Sequence, residues 1–427
     1  MKRALVWFRN DLRLSDNPAL AAAVRHAEEV LPLFVLDPRQ TGACSFGLER
    51  LGPWRRVFLR EGLADLDARL RGMGSGLRVV VGHPDRVLPE LAHTWEASAV
   101  YAQGLNAWEE RQQEEAVARH LPLDLHPSHT LLHPDDLPFP IHKLPRVFTA
   151  FRHKVEARWQ VRETLTAPEA LATPDDWAPG PLQLTELLPG EAPTDPRQVM
   201  SFRGGRAAGL ERLRHYFQGH DAPLRYKETR NALLGADLSS KFSPWLAQGS
   251  LSAREVYEAL KGFEERLGAN EGTYWLVFEL LWRDFFQFTF AKHGPALFLR
   301  KGLTDALPSS DQDQGRFQTW CEGRTGEPFI DANMRELAAT GWMSNRGRQN
   351  AASFLIHDLG LDWRMGACWF ERLLIDHDPC SNWGNWAYIA GVGNDPRGGR
   401  RFDPQDQAAR YDPDGTYVRH WSSGEDR

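Results

Sequence analysis

The sequence predicts an α/β N-terminal domain, a parallel sheet with flanking helices, followed by a mostly α-helical C-terminal domain. Short apolar runs at 3–8, 30–36, 77–81 and 99–101 are separated by helix-like stretches such as 50–71, and strands that alternate with helices build parallel sheets. Beyond residue 200 the apolar spacing turns helical, in "GGRAAGLERLRHYFQG", "SAREVYEALKGFEERLG" and "TYWLVFELLWRDFFQFTFAKHG". Between these halves, from about 122 to 196, Pro is frequent, as in "ATPDDWAPGPLQLTELLPGEAPTDP", which reads as a linker lying on a surface. The expected division is 1–128, a linker at 129–199, and 200–427, because 427 residues are too many for one small core.

Composition narrows the function. A net charge of −6 excludes an overall basic nucleic-acid binder and leaves room for a local basic groove. The four cysteines, Cys44, Cys321, Cys368 and Cys380, form no C-x-x-C pair; they suit a reducing compartment with neither zinc nor a disulfide framework, and no metal site is expected. The apolar run of "MKRALVWFRNDLRL" is broken by Arg9 and Asp11, too early for a signal peptide. No stretch approaches the roughly 20 apolar residues of a membrane span. A soluble, cytoplasmic protein is expected.

No G-x-G-x-x-G follows the first strand, and "GVGNDP" has two Gly but no third and no preceding strand. The helical half is the better host for a cofactor. In "ADLSSKFSPWLAQGSLS", Ser239, Ser240 and Ser243 offer hydroxyls and Lys241 a charge, with Ser243 placed to cap a helix that has Pro244 in its first turn. The segment is either a phosphate cradle or an ordinary capped helix. "TYWLVFELLWRDFFQFTF" is apolar nearly all round yet carries Glu279, Arg283 and Asp284. Buried charges need partners, so Glu279 and Arg283 either pair at i,i+4 or line a polar cavity, and Trp282 is core or cavity wall. In "GWMSNRGRQNAASFLIHDLGLDW", Asn345, Arg348 and Gln349 share a face if helical, with Asn345 as helix cap the alternative. Asp376 and Asp378 either balance Arg348 or form an exposed turn. In "DPCSNWGNWAYIAGVGNDPRGGRR" two Trp residues, Trp383 and Trp386, sit in a Gly/Asn-rich stretch composed like a loop.

These segments, in this order, resemble the photolyase/cryptochrome family over nearly the whole chain. "VWFRNDLRLSDNPAL", "SSKFSPWLAQGSLS", "ELLWRDFF", "MSNRGRQNAASFL", "LDWRMGA" and "CSNWGNWAYIAGVGNDPRGGRRFDP" look like family signatures. The last two, with "TLLHPDDLPFPIHKLPRVFTAFRHKVE", look most like the cryptochrome-DASH branch.

The resemblance implies an α/β antenna domain and a helical, FAD-binding domain. Tyr226 and Ser239, Ser240, Lys241, Phe242 and Ser243 would hold the phosphates and ribityl, with Arg283 nearby. Asn345, Arg348, Asp376 and Asp378 would surround the isoalloxazine, Arg348 paired with Asp376, and Asn382 would face flavin N5. Reduced anionic flavin needs such positive charge and hydrogen bonding to set its potential. Trp386 matches the flavin-proximal tryptophan and Trp363 the middle member of an electron-transfer chain, on a loop serving as a rigid mount. The third family position falls at Ser310, so either Trp320 or another aromatic would substitute or photoreduction would be slow. Trp383 is given no redox role.

The same resemblance implies blue-light repair of cyclobutane pyrimidine dimers, with the lesion flipped into a cavity beside the flavin. Glu279 and Trp282 would contact the lesion, with Gln349 and Tyr388 lining the remainder. That polar pair gains less from stacking, so single-stranded DNA, which costs less to open, is the preferred substrate. Arg225, Lys227, Arg230, Arg346, Arg397, Arg400 and Arg401 would line a groove for the DNA backbone, Arg230 and Arg346 having family counterparts. Glu109 would lie where a folate antenna binds, with FMN or deazaflavin the alternatives. A photoreceptor that binds FAD and nucleic acid and signals through a partner is the second reading, disfavoured because the chain stops at "VRHWSSGEDR", soon after the family core ends. A (6-4) photolyase would call for His residues in the substrate pocket that this sequence does not place there. A monomer is expected.

Overall fold

The computed structural model describes residues 1–178, 180–395 and 397–422; the last residues of the C-terminal stretch lie outside it. Five strands, β1 (Arg3–Phe8), β2 (Glu29–Leu36), β3 (Arg78–Val81), β4 (Ala97–Gly104) and β5 (Leu123–Pro127), form an all-parallel sheet of order β3-β2-β1-β4-β5. The unbroken apolar runs of β1 and β2 follow from burial on both faces. Ala4, Val6 and Phe8 point into one core with Val30, Phe34 and Leu36, while Leu5 and Trp7 point into the other with Leu31, Leu33 and Val35. Helices α1 (Pro18–His26), α2 (Pro53–Arg71), α3 (Pro84–Thr94) and α4 (Trp108–Ala118) flank it. Asn17 starts α1 by accepting from Leu20 N, with Pro18 at the first helical position. Strand β5, short and mostly exposed, carries no long apolar run in "LDLHP" and was not legible in the sequence.

The Pro-rich segment runs largely along the surface but is anchored in the cores at intervals. Residues 128–131 are buried, and Phe148 and Phe151 of α5 (Phe148–Glu156) share a core with Leu281, Phe285 and Phe288. Farther on, Leu171, Leu184 and Leu188 return to one face of the sheet and fully buried Trp177 to the other. Sparse apolar anchors hold this stretch without periodic structure, and so left no signal for a periodicity search.

The rest is helical: α6 (Arg206–Gln218), α7 (Ser243–Gln248), α8 (Ala253–Leu267), α9 (Glu271–His293), α10 (Gln314–Cys321), α11 (Pro328–Thr340), α12 (Asn345–Ser353), α13 (Trp363–Leu373), α14 (Pro379–Ile389), α15 (Pro404–Tyr411) and α16 (Thr416–Ser422). α9 begins with a capping box between Asn270 and Thr273 and runs through the core of this domain, which explains its apolar circumference.

Candidate functional site

The stretch carrying Trp383 and Trp386 is a helix, α14, and not a loop. Asp378 caps it by accepting from Ser381 N at 2.7 Å, and Pro379 fills the first position. Its Gly content reflects close packing: a Cβ on Gly384 would lie 2.4 Å from Phe286 of α9.

A cavity of about 500 Å³ opens between α7, α9, α12 and α14, within the usual range for a cofactor pocket. It gathers Tyr226, Ser239, Ser240, Lys241, Phe242, Ser243, Arg283, Asn345, Arg348, Asp376 and Asp378 on one set of walls, and Arg230, Glu279, Trp282, Gln349 and Tyr388 on the rest. A recess that shares Arg348, Asp376 and Ser381 with it is lined by Asn382 and Trp386. Residues more than a hundred positions apart thus converge on one space.

Local roles differ from some of the expectations. Ser243 does not cap α7; Phe242 holds that position, and the Ser243 hydroxyl donates to Asp376 Oδ2 at 2.6 Å, a stronger, charge-assisted bond. Ser344, not Asn345, caps α12 by accepting from Gly347 N. Glu279 and Arg283 do not pair with each other. Glu279 takes Arg230, whereas Arg283 donates to His129 O, to His129 Nε2 and to Leu246 O. Arg348 pairs with Asp376 at 2.8 Å. Lys241 holds a left-handed backbone, φ 52°, rare outside Gly and strained; its ammonium reaches Gly235 O and Ser239 Oγ, and burial pushes it down to about 8.

A supporting layer went unrecognised in the sequence. Gln287 donates to both oxygens of Asp378, at 3.1 and 2.9 Å, and the buried His129 ring faces the same carboxylate at 3.1 Å. Since a guanidinium can only donate, His129 Nε2 is the acceptor for Arg283 and the ring is neutral; burial, reinforced by Arg283, pushes it down to about 4. Burial alone would raise the Asp378 carboxyl, but the Arg283 charge and the hydrogen bond from the Ser381 amide outweigh it and hold it well below the usual range. The i,i+4 step from Arg283 put Gln287 on the cavity side of α9 and was a readable signal; His129 comes from the supposed linker and had none.

The comparisons with known proteins agree with this geometry. Residues 4–173 match the family model described as DNA photolyase, and 275–423 the one described as FAD binding domain of DNA photolyase. The cryptochrome DASH of Natronomonas pharaonis is 51% identical over 99% of this chain and 90% of its own. The chain belongs to the photolyase/cryptochrome family. Among solved structures of the family, the Synechocystis sp. cryptochrome superposes with a TM-score of 0.93 at 45% identity, over 99% of this chain and 88% of that one. An archaeal photolyase from Sulfolobus tokodaii, solved with two FAD molecules, gives 0.80 at 30% identity, over 99% and 90%. The likeness is to the cryptochrome-DASH branch, and the helical half is a photolyase FAD-binding domain.

The residues present fit FAD. Asp376 Oδ1 is shut off from water and has no hydrogen-bond partner, an acceptor in want of a donor on a cavity wall. Segment 239–243 supplies hydroxyls and an ammonium to the cavity wall, donors that a phosphate would need. One amide N–H of Asn382 is committed to Ala367 O at 2.9 Å, which fixes its side chain in the recess.

In this photolyase/cryptochrome chain Trp386 lies over Gly366 of α13, where a Cβ would lie 2.1 Å from the indole. It meets Trp320 edge to face, centroids 6.2 Å apart, and Phe370 at 5.1 Å. Trp320 stacks near Phe317 (5.9 Å), which meets half-buried Trp369 (6.4 Å). Trp363, one turn before Gly366 on α13, has its ring against Trp383 at 5.7 Å. Ser310 lies exposed on a loop.

The expected DNA-facing cations mostly have acidic partners: Arg225 pairs with Asp221, Lys227 with Glu271, Arg400 with Asp395 and Arg401 with Asp358. Arg346 stands over the Tyr411 ring at 4.6 Å, and Arg397 is exposed. Neither lines the cavity. Glu109 pairs with Arg50 at 2.7 Å on the wall of a second cavity, about 130 Å³, between the two domains. Among the described residues no helix is long and apolar enough to cross a membrane.

Proposed function

We propose that this chain repairs cyclobutane pyrimidine dimers in DNA under blue light, with a preference for single strands, as a cytoplasmic monomer. The observation that carries the reading is the single cavity shared by the FAD-side residues Ser243, Arg348 and Asp376 and the lesion-side residues Glu279, Trp282, Gln349 and Tyr388. Bound and reduced, FAD would supply the light-driven electron that opens the dimer.

The chain's own residues do the rest. Arg348 and Asp376 would orient the ring system, Asn382 would be placed to meet its N5 edge, and Asp378 with Arg283 and Gln287 would set the charge around it. Trp282, backed by Phe148 at 3.8 Å, offers its free side to a flipped base. Burial raises the Glu279 carboxyl, opposed by Arg230, and that carboxyl would meet the polar edge of a flipped base. Tyr388 is polar at its tip, its hydroxyl accepting from Arg400 at 2.6 Å, so stacking gain is modest and intact duplex is costly to open. The ion pairs of the surface cations are weak enough to exchange for phosphates. Trp386 would refill the flavin, and a folate or second flavin at the Glu109 cavity would serve as antenna.

The test is repair of one thymine dimer in matched single-stranded and duplex oligonucleotides, in blue light and darkness, with reduced holoprotein. Light-dependent loss, faster on the single strand, is expected. Binding without repair on either substrate would favour the photoreceptor reading.

A further inference from the structure

Away from the cavity, the end of α6 and the segment before Ser239 bring together two imidazoles and a carboxylate. His215 Nε2 lies 3.2 Å from His220 Nε2 and 3.2 Å from Asp237 Oδ2, and His220 Nε2 lies 3.7 Å from the same oxygen. Two imidazole nitrogens aimed at one another repel unless a proton or a cation lies between them. These separations put a point about 2.0 Å from all three atoms, the length of a zinc–nitrogen bond.

We propose that His215, His220 and Asp237 form a binding site for a divalent transition ion of the zinc class, with water completing the coordination. The His rings are more than 40% exposed, which leaves the open position to solvent. Arg212 takes Oδ1 at 2.6 Å and so orients Oδ2 toward the two nitrogens, the usual part of an outer partner. Among the described residues Arg212 is also the fixed cation that competes for the carboxylate. Mixed imidazole and carboxylate ligands select zinc, nickel or copper over magnesium, which demands an octahedron of oxygens.

The site would act on the FAD-binding half through Arg212, which also donates to Ala236 O, Ser239 O and Ser240 O. A bound ion ties the end of α6 to the segment whose serines line the cavity. This consequence rests on the proposed role of that segment, whereas the ion site does not.

The experiment is zinc titration of the holoprotein against a chromogenic chelator, with thermal melting in parallel, on the wild type, His220→Ala and His215→Ala; magnesium is the control. One ion per chain is expected, with affinity at least about tenfold weaker in either variant, as loss of a ligand requires, and a zinc-induced rise in Tm confined to the wild type. His220 follows the end of α6 and is exposed, so His220→Ala without zinc should melt like the wild type. Equal zinc binding by all three proteins, or none by the wild type, overturns the site. Slower FAD loss with zinc tests the coupling separately: zinc binding without that change would leave the site standing and sink the link to the cavity.

Discussion

Asp376 accepts from Ser243 and Arg348 through Oδ2, while Oδ1 is buried without a partner. An amide in its place would keep the volume, but would offer Arg348 only a neutral acceptor and lose the acceptor strength that waits for a cofactor donor. Asp376→Asn should therefore weaken FAD retention about tenfold, the effect of one charge-assisted hydrogen bond of roughly 1.4 kcal/mol, read as flavin content after equilibrium dialysis. Retention equal to wild type would mean that Oδ1 faces water when FAD is bound. Sequence reading found this pair because Arg348 sits in a family signature and Asp376 lies just ahead of the next, which begins at Cys380; it missed Gln287 and His129, whose work is to hold a neighbour.

At the scale of elements, helix α14 places Asp378, Asn382 and Trp386 four residues apart each time, so all three sit on one face. Its packing also bears on the proposed electron route. Trp386 touches Trp320 and Phe370, whereas Trp363 packs on Trp383. Trp386→Phe should abolish or sharply slow light-driven flavin reduction with FAD still bound. Trp320→Phe should slow it at least as much as Trp363→Phe, measured as bleaching of the oxidised flavin band under blue light with an external reductant. If only Trp363→Phe slows the bleaching, the Trp320 route is wrong. Gly and Asn content made this segment look like a loop; the sequence showed small residues without showing the Phe286 and Trp386 rings that need them small.

For the whole molecule, stability depends on pH through carboxyls buried beneath the site. Glu336 is pushed up to about 8 by burial, with Tyr417 and Lys241 opposing. A protonated Glu336 can donate to the Tyr417 oxygen at 2.7 Å, freeing that hydroxyl to donate to Asn333 Oδ1 at 3.1 Å, so the neutral form satisfies the network. Because the folded state holds this proton more tightly than the unfolded chain, whose ordinary value is 4.5, the contribution is full below about 4.5 and is lost as pH rises toward about 8. Urea melts from pH 5 to 8 should show a flatter decline for Glu336→Gln than for wild type; parallel declines would place the proton elsewhere, Asp284, pushed up to about 7 by burial, being the next group.

What the sequence determined by itself was whatever lies in local order: the first four strand segments, the helical second half, and the ordered signatures that identify the family and most of the cavity's lining. Period and motif are properties of neighbours along the chain, so they survive without coordinates. Only the tertiary structure decided where the Pro-rich stretch is anchored in the cores, that Glu279 takes Arg230 and not Arg283, that Trp386 meets Trp320, and that His215, His220 and Asp237 converge. Each is a contact across many residues, chosen by which side chains the packed helices leave facing one another, and single-chain spacing carries no record of that choice.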